Sequence, residues 1–167
     1  EADMDIKATL NNLLIPYTSN YAGTLLPGIR EYTVTPGEKT TTISGKGKAG
    51  LKQEENYYFF YLPVCYKGIT GKSYAYYNTS RSKNLYLPAS VDENYSYDIQ
   101  LPENLTLCTP IQEKKIDNPI GSFKITLTSE GSSLHIELAL QIKKQLITPA
   151  EYPAFRSLIT EWTDRTR

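Results

Sequence analysis

The sequence contains few of the residues that carry most protein chemistry. It has two cysteines, one histidine, one tryptophan and one methionine in 167 residues. A single histidine excludes a metal site with several histidine ligands, and a histidine-dependent triad can be built only around His135. Cys65 and Cys108 allow at most one disulfide, and the apolar context of each suits a buried thiol equally well. Whether the two are bonded is left open by the sequence.

The chain also lacks an excess of charge and any long apolar run. Lysine plus arginine and aspartate plus glutamate both number 18, so the formal net charge is zero. No basic stripe could neutralise a row of phosphates, which argues against nucleic acid as a partner. No apolar stretch approaches the roughly 20 residues of a membrane span. The acidic first residues do not form a signal peptide, although a signal could have been removed.

Tyrosine, proline and glycine are plentiful. The 14 tyrosines suit pleated, half-buried surfaces, and the ten prolines and ten glycines supply turns between short strands. We therefore predict one mostly β domain over residues 1–167, an antiparallel β-sandwich completed by a C-terminal α-helix. A chain of this length can bury a substantial core.

Alternation with a period of two predicts the strands. Leu134 to Ile142 alternates strictly, and with the stretch from Phe123 to Leu127 and a glycine turn it predicts an antiparallel hairpin. A strand is also predicted from Tyr95 to Leu101. Residues 29–44 fit two extended segments joined at a Pro-Gly turn.

Three further stretches are assigned from composition and spacing. The apolar residues of 5–17 are near helical spacing and indicate a short helix. Residues 44–56 are polar and glycine-rich, which predicts a loop. The aromatic run 56–66 is typical of a strand covered on both faces.

The end of the chain changes to a helical period. Thr148 and Glu151 form the pattern of a capping box, with proline at the first helical position. These features predict a helix over about 149–163, although Pro153 removes a backbone donor one turn in. The apolar stripe predicted to dock on the β-domain consists of Tyr152, Phe155, Ile159 and Trp162.

No residue or motif of the sequence gives strong evidence for a catalytic or binding site. The tyrosines Tyr74, Tyr76 and Tyr77 could stack on sugar rings, or could pack across strands. His135 lies on the polar side of its strand; it is either a surface histidine or the base of a small hydrolase that uses Cys65 or Cys108. No grouping of residues predicts a catalytic or metal site, and no cofactor is expected.

Two other patterns are explained better as turns than as binding or catalytic sites. Gly71, Lys72 and Ser73 match the tail of a phosphate-binding loop, but Tyr66 occupies the position of its first glycine. Asp92 and Glu93 could belong to a carboxylate pair, and they are interpreted more simply as solvated turn residues.

Several ordered motifs carry a family resemblance. They are Leu62-Pro63 after the aromatic run, Arg81 before Leu87-Pro88, Tyr97–Glu103, Gly121 with Phe123, and Ile147–Trp162. Over about residues 56–163 the chain resembles the C-terminal β-domain of unknown function that follows a transglutaminase-like core in secreted or periplasmic proteins of Bacteroidetes. The motifs of that core are not found in this sequence, so the resemblance supplies no catalytic residue.

The resemblance implies a non-catalytic accessory domain. Its expected partner is an upstream transglutaminase-like domain or another envelope protein, with a glycan as a further option. The implied location is periplasmic, outer-membrane-associated or secreted. The alternatives are an independent carbohydrate-binding module and a small cysteine-dependent hydrolase.

Overall fold

The computed structural model describes residues 1–11, 26, 28–65, 68–69, 80–108 and 112–166. Within these ranges the chain forms eleven strands and one helix, numbered in chain order. They are β1 (Ala2–Asn11), β2 (Ile29–Pro36), β3 (Thr40–Ala49), β4 (Lys52–Glu54), β5 (Tyr57–Phe59), β6 (Leu85–Tyr86), β7 (Val91–Gln100), β8 (Gln112–Asn118), β9 (Gly121–Glu130), β10 (Ser133–Ile142), β11 (Leu146–Ile147) and α1 (Tyr152–Thr166). Every helix in the described ranges is too short or too polar to cross a membrane.

Seven of the strands pair in one antiparallel sheet with the order β2-β3-β1-β7-β10-β9-β8. The first strand of the chain lies inside this sheet, where it joins the β2–β3 hairpin to the C-terminal strands. The predicted β9–β10 hairpin is confirmed, and its turn contains Gly131 at a φ of 58°. Glycine adopts this left-handed conformation without steric cost. The two short ribbons β4–β5 and β6–β11 lie outside the large sheet.

One face of the large sheet forms the core. Ile6 of β1 pairs with Tyr97 of β7, and Tyr97 pairs with Ile136 of β10. All three side chains are buried, as are the alternate residues on either side of them. The core faces predicted for β7 and β10 are therefore confirmed. Each such side chain contributes about 1.5–3 kcal/mol before conformational entropy is subtracted.

The helix and an extended segment cover the core face. Phe155 and Trp162 of α1 are fully buried, and the Trp162 ring lies 5.8 Å from the ring of Tyr95. Beside them, the Tyr97 hydroxyl donates to the carbonyl oxygen of Pro63 at 2.7 Å. The predicted mostly β class and the docked C-terminal helix are both confirmed. Among the described residues, the layer that faces the large sheet includes α1 and the chain around Pro63.

The start of α1 is fixed by Glu151. Its carboxylate accepts hydrogen bonds from the backbone N–H and the hydroxyl of Thr148, both at 3.0 Å. Lys144 also binds this carboxylate, and these donors, Lys144 first, lower its pKa to about 2. The backbone N–H of Glu151 donates to the Thr148 carbonyl oxygen, so only one half of the predicted capping box forms. The helix begins at Tyr152 and ends at Thr166, so both ends lie three residues later in the chain than predicted.

Three predictions from local pattern are wrong. Ala2–Asn11 is a strand, and its even-numbered residues are buried in the core. The polar stretch predicted as a loop contributes the end of β3, whose glycines allow the β2 backbone to approach closely, and all of β4, which pairs with β5. The aromatic run is not covered on both faces, since Tyr57–Phe59 is exposed throughout.

Candidate functional site

The tyrosines predicted as a sugar platform, Tyr74, Tyr76 and Tyr77, lie outside the described residues. So do Gly71, Lys72 and Ser73, which resemble the tail of a phosphate-binding loop. Carbohydrate stacking at those tyrosines stays a prediction.

His135 lies on the outer face of the sheet, as its place in the alternating strand predicts. Its Nδ1 atom is 2.7 Å from an oxygen of Asp98, and its Nε2 atom is 2.7 Å from an oxygen of Glu137. The hydrogen bond to Asp98 is the main reason that the pKa of His135 is raised, with Glu137 adding to it and partial burial opposing it. Both ring nitrogens thus contact carboxylates.

Cys65 does not join His135 in a site. The backbone N–H of Cys65 donates to the Tyr95 hydroxyl at 3.0 Å, on the core side of the sheet and opposite to His135. Cys108 is exposed, so the prediction of a buried thiol holds for Cys65 only. Both cysteines fall in the described ranges, and both are thiols there. Over the same ranges, no group of three or more His, Cys, Asp and Glu residues could hold a metal ion.

We expect His135→Ala to change the free energy of unfolding by less than about 1 kcal/mol, because exposed ion pairs contribute little. The raised pKa gives the sign of the pH dependence. The contribution of His135 is present below about pH 6.5 and is lost as the pH rises through the folded-state pKa. Urea unfolding at pH 5.5 and 8.5 measures both effects. A loss above about 2 kcal/mol at both pH values would contradict a surface role.

Glu93 is the unexpected group in the core. It lies on the buried face of β7 between Leu10 and Leu140, and it is 3% exposed. One carboxylate oxygen accepts from the Ile69 N–H at 2.5 Å, and the other accepts from the Tyr95 hydroxyl at 3.2 Å. This carboxylate therefore ties the backbone at Ile69 to the sheet.

The same neighbourhood is closely packed. A Cβ atom at position 68 would lie 2.2 Å from an oxygen of Glu93, so any larger residue at Gly68 would displace the carboxylate. Burial raises the pKa of Glu93 to about 7, although the bonds from Ile69 and Tyr95 oppose the shift. Burial and the Glu93 charge also raise the pKa of Tyr95 well above its usual value.

The interpretation of Glu93 as a solvated turn residue is wrong. It relied on the position of Glu93 after Asp92 in a polar stretch. The available signal was its phase: Glu93 shares the parity of Tyr95 and Tyr97, which the alternation places in the core. An acid in phase with core residues predicts a buried, hydrogen-bonded carboxylate.

Four exposed aromatic side chains lie on and beside the β4–β5 hairpin. Its turn contains Glu55 at a φ of 56°, and Gln53 braces it through bonds to the Tyr58 hydroxyl and the Glu55 carbonyl oxygen, both at 3.1 Å. The exposed fractions are 53% for Tyr57, 44% for Tyr58, 49% for Phe59 and 61% for Tyr61. These four residues are named the aromatic hairpin surface.

The aromatic hairpin surface has aromatic groups on both faces of a strand. Tyr57 and Phe59 point to one face and Tyr58 to the other, because successive side chains alternate. Exposed tyrosine and phenylalanine are enriched where a protein meets a partner. Chemically, the surface can bury apolar area and donate hydroxyl hydrogen bonds.

Together these features define a β-domain in which a C-terminal helix covers one face of an antiparallel sheet and a short hairpin carries exposed aromatic side chains. The family model of DUF3858, a domain of unknown function with a solved structure, matches residues 56–167. The chain therefore belongs to the DUF3858 family. The predicted resemblance to a domain of unknown function is therefore confirmed.

One solved structure provides a further comparison. The chain is similar to a crystal structure of a candidate protease from Parabacteroides distasonis ATCC 8503, with 35% sequence identity and a TM-score of 0.58. The match covers 62% of this chain and 21% of that one. No curated protein matches the sequence.

Proposed function

We propose that this chain is a non-catalytic accessory domain that packs on a catalytic neighbour. The neighbour is a transglutaminase-like or protease-like domain of the same bacterial envelope or secreted protein, and the contact is the aromatic hairpin surface. The observation that carries the proposal is the exposure of Tyr57, Tyr58, Phe59 and Tyr61 on and beside one short hairpin.

Energetics favour a partner for this hairpin. A two-stranded ribbon with three residues in each strand is marginally stable alone, and all six residues of this ribbon are exposed. Tyrosine and phenylalanine bury a large area at a low cost in side-chain entropy. A docked partner would remove the exposed aromatic groups from water and stabilise the ribbon.

The chemistry of the described residues supports a non-catalytic role. The ring nitrogens of His135 contact Asp98 and Glu137, and Cys65 lies across the sheet from them. The structural match supports a catalytic neighbour, because this domain corresponds to about a fifth of a longer chain named as a candidate protease.

Hydrogen exchange in the full-length product of the gene tests the proposal. We expect backbone amides of residues 52–61 to exchange at least about tenfold more slowly in the full-length protein than in the 167-residue chain, because docking removes the hairpin from water. The double variant Tyr57→Ser, Phe59→Ser should abolish that difference. The matched control is Tyr86→Ser, which removes a 71% exposed tyrosine from another ribbon and should leave the protection intact.

Two results would count against docking: equal exchange of the hairpin in both proteins, or a reading frame that encodes no further domain. The carbohydrate-binding alternative uses the same exposed aromatics. It would be favoured by slower hairpin exchange in the isolated chain when a soluble glycan is added, with no protection from the rest of the chain.

A further inference from the structure

The β4–β5 ribbon has two outer edges, and they differ in charge. β4 carries Lys52 and Glu54, which form an exposed ion pair at 2.7 Å. β5 consists of three aromatic residues, and the chain contains no charged residue or proline from Tyr57 to Leu62. Charged side chains and prolines are the usual protection of an edge strand against an added strand. The outer edge of β5 therefore lacks the protection that β4 has.

The hydrogen-bond pattern of the ribbon determines which backbone groups face the outer edge of β5. Glu54 and Tyr57 are the pair next to the two-residue turn, and in such a turn the N–H of the last residue donates to the carbonyl oxygen of the first. Antiparallel pairs alternate between bonded and non-bonded, so Tyr58 and Gln53 form a non-bonded pair. The N–H and C=O groups of Tyr58 thus point away from β4. Among the described residues, no strand pairs with that side of β5.

Aromatic rings project from both faces of β5. Tyr57 and Phe59 are 53% and 49% exposed on one face, and Tyr58 is 44% exposed on the other. A partner that packs flat against the hairpin can cover only one of these faces. A strand added along the edge continues the ribbon into the sheet of the partner, where layers on both sides of that sheet can cover both sets of rings. The distribution of the rings therefore fits strand addition better than face-to-face packing.

We propose that the outer edge of β5 pairs with an uncharged edge strand in a β-sheet of the catalytic neighbour. This inference rests on the proposed docking of that neighbour and specifies how the contact is made. Tyr58 supplies one backbone donor and one backbone acceptor to the added strand, and the rings of β5 contact apolar side chains on its two faces. The added strand is uncharged because a charge opposite these rings would be buried without a counter-ion.

The size of the aromatic hairpin surface favours a neighbour in the same polypeptide over a second copy of this chain. Each of its side chains has roughly 200 Å² of surface and is about half exposed, so together they offer about 400 Å². A stable complex of separate chains buries about 800 Å² on each partner. A covalent connection to the neighbour raises its effective concentration, so that the smaller contact persists.

Hydrogen exchange at single-residue resolution in the full-length product of the gene tests the pairing. We expect the Tyr58 amide to exchange at least about tenfold more slowly there than in the 167-residue chain, because its N–H gains a carbonyl partner. Tyr58→Pro removes this N–H and should return residues 52–57 to the exchange rates of the 167-residue chain. Tyr58→Ser is the matched control, since it removes the ring but keeps the N–H, and it should retain most of the protection.

The Tyr58 amide of the wild-type protein tests the pairing without a substitution. If it exchanges equally fast in both proteins while the amides of Tyr57 and Phe59 are slowed in the full-length protein, strand addition is overturned and docking through side chains stands. Full protection in Tyr58→Pro would also overturn the pairing, as would an equal loss of protection in Tyr58→Ser and Tyr58→Pro. No slowing anywhere in residues 52–61 would overturn the proposed docking together with this inference.

Discussion

Replacing Trp162 with alanine should lower the free energy of unfolding by about 3–5 kcal/mol. The side chain is fully buried and packs on Tyr95 with the ring centres 5.8 Å apart, so its removal leaves a cavity between α1 and the sheet. That loss is a large share of the stability of a typical domain. Urea unfolding followed by circular dichroism measures it.

Thr160→Ala is the matched control, because Thr160 is exposed on the same helix. It should change stability by less than about 0.5 kcal/mol. Trp162 is the sole tryptophan of the sequence, so its fluorescence reports on the helix directly. We expect blue-shifted emission that iodide does not quench. Red-shifted, quenchable emission from the folded protein would mean that the helix is undocked and that its apolar stripe serves another partner.

Glu93→Gln should make the protein more stable at alkaline pH by roughly 3 kcal/mol, with little change near pH 4.5. Folding raises the pKa of Glu93 from 4.5 to about 7. The stability that protonation provides is therefore fully present below about pH 4.5 and is lost as the pH rises through about 7. At 1.36 kcal/mol for each pKa unit, the shift corresponds to roughly 3 kcal/mol.

Glutamine resembles the protonated acid in shape and stays neutral at every pH. Its carbonyl oxygen can accept from the Ile69 N–H in place of the carboxylate. Urea unfolding of both proteins at pH 5 and 8.5 gives the difference that belongs to Glu93. The rise in the pKa of His135 acts in the same direction and cancels in the comparison.

The lowered pKa values of Asp3 and Glu151 affect stability only at more acidic pH. Glu103→Gln is the control for loss of a carboxylate, since Glu103 is exposed. A Glu93→Gln protein whose stability relative to wild type is the same at pH 5 and pH 8.5 would show that the carboxylate is solvated or already ionised.

Strands with strict alternation could be predicted from the sequence. The β9–β10 hairpin follows from large aliphatic groups at every second position of β10 and a glycine that permits its turn. β1 could not be predicted in this way. Its core positions include the small Ala2 and Ala8, whose weak hydrophobic signal hides the period, while Ile6 and Leu10 are four residues apart and fit a helix as well.

The candidate sites were largely beyond sequence reasoning. An aromatic run gives the same pattern whether a core or a partner covers it, so the exposure of Tyr57 and Phe59 needed the three-dimensional structure. Arg81 and Arg156 line one groove although 75 positions of sequence separate them, which local pattern cannot show. The burial of Glu93 could be predicted from the sequence, because Glu93 shares the alternation of the core residues in β7.

The interior position of β1 has a consequence for how the chain can fold and be divided. Its partner β7 lies about 90 residues further on, since Asp3 pairs with Gln100 and Leu10 with Glu93. The seven-stranded sheet can therefore be completed only after most of the chain has been synthesised. Such a topology has a high contact order and folds slowly. Residues 56–167 alone would leave the β7 edge unpaired, with its backbone N–H and C=O groups open to a second copy. The N-terminal third thus protects the family segment from edge-to-edge aggregation.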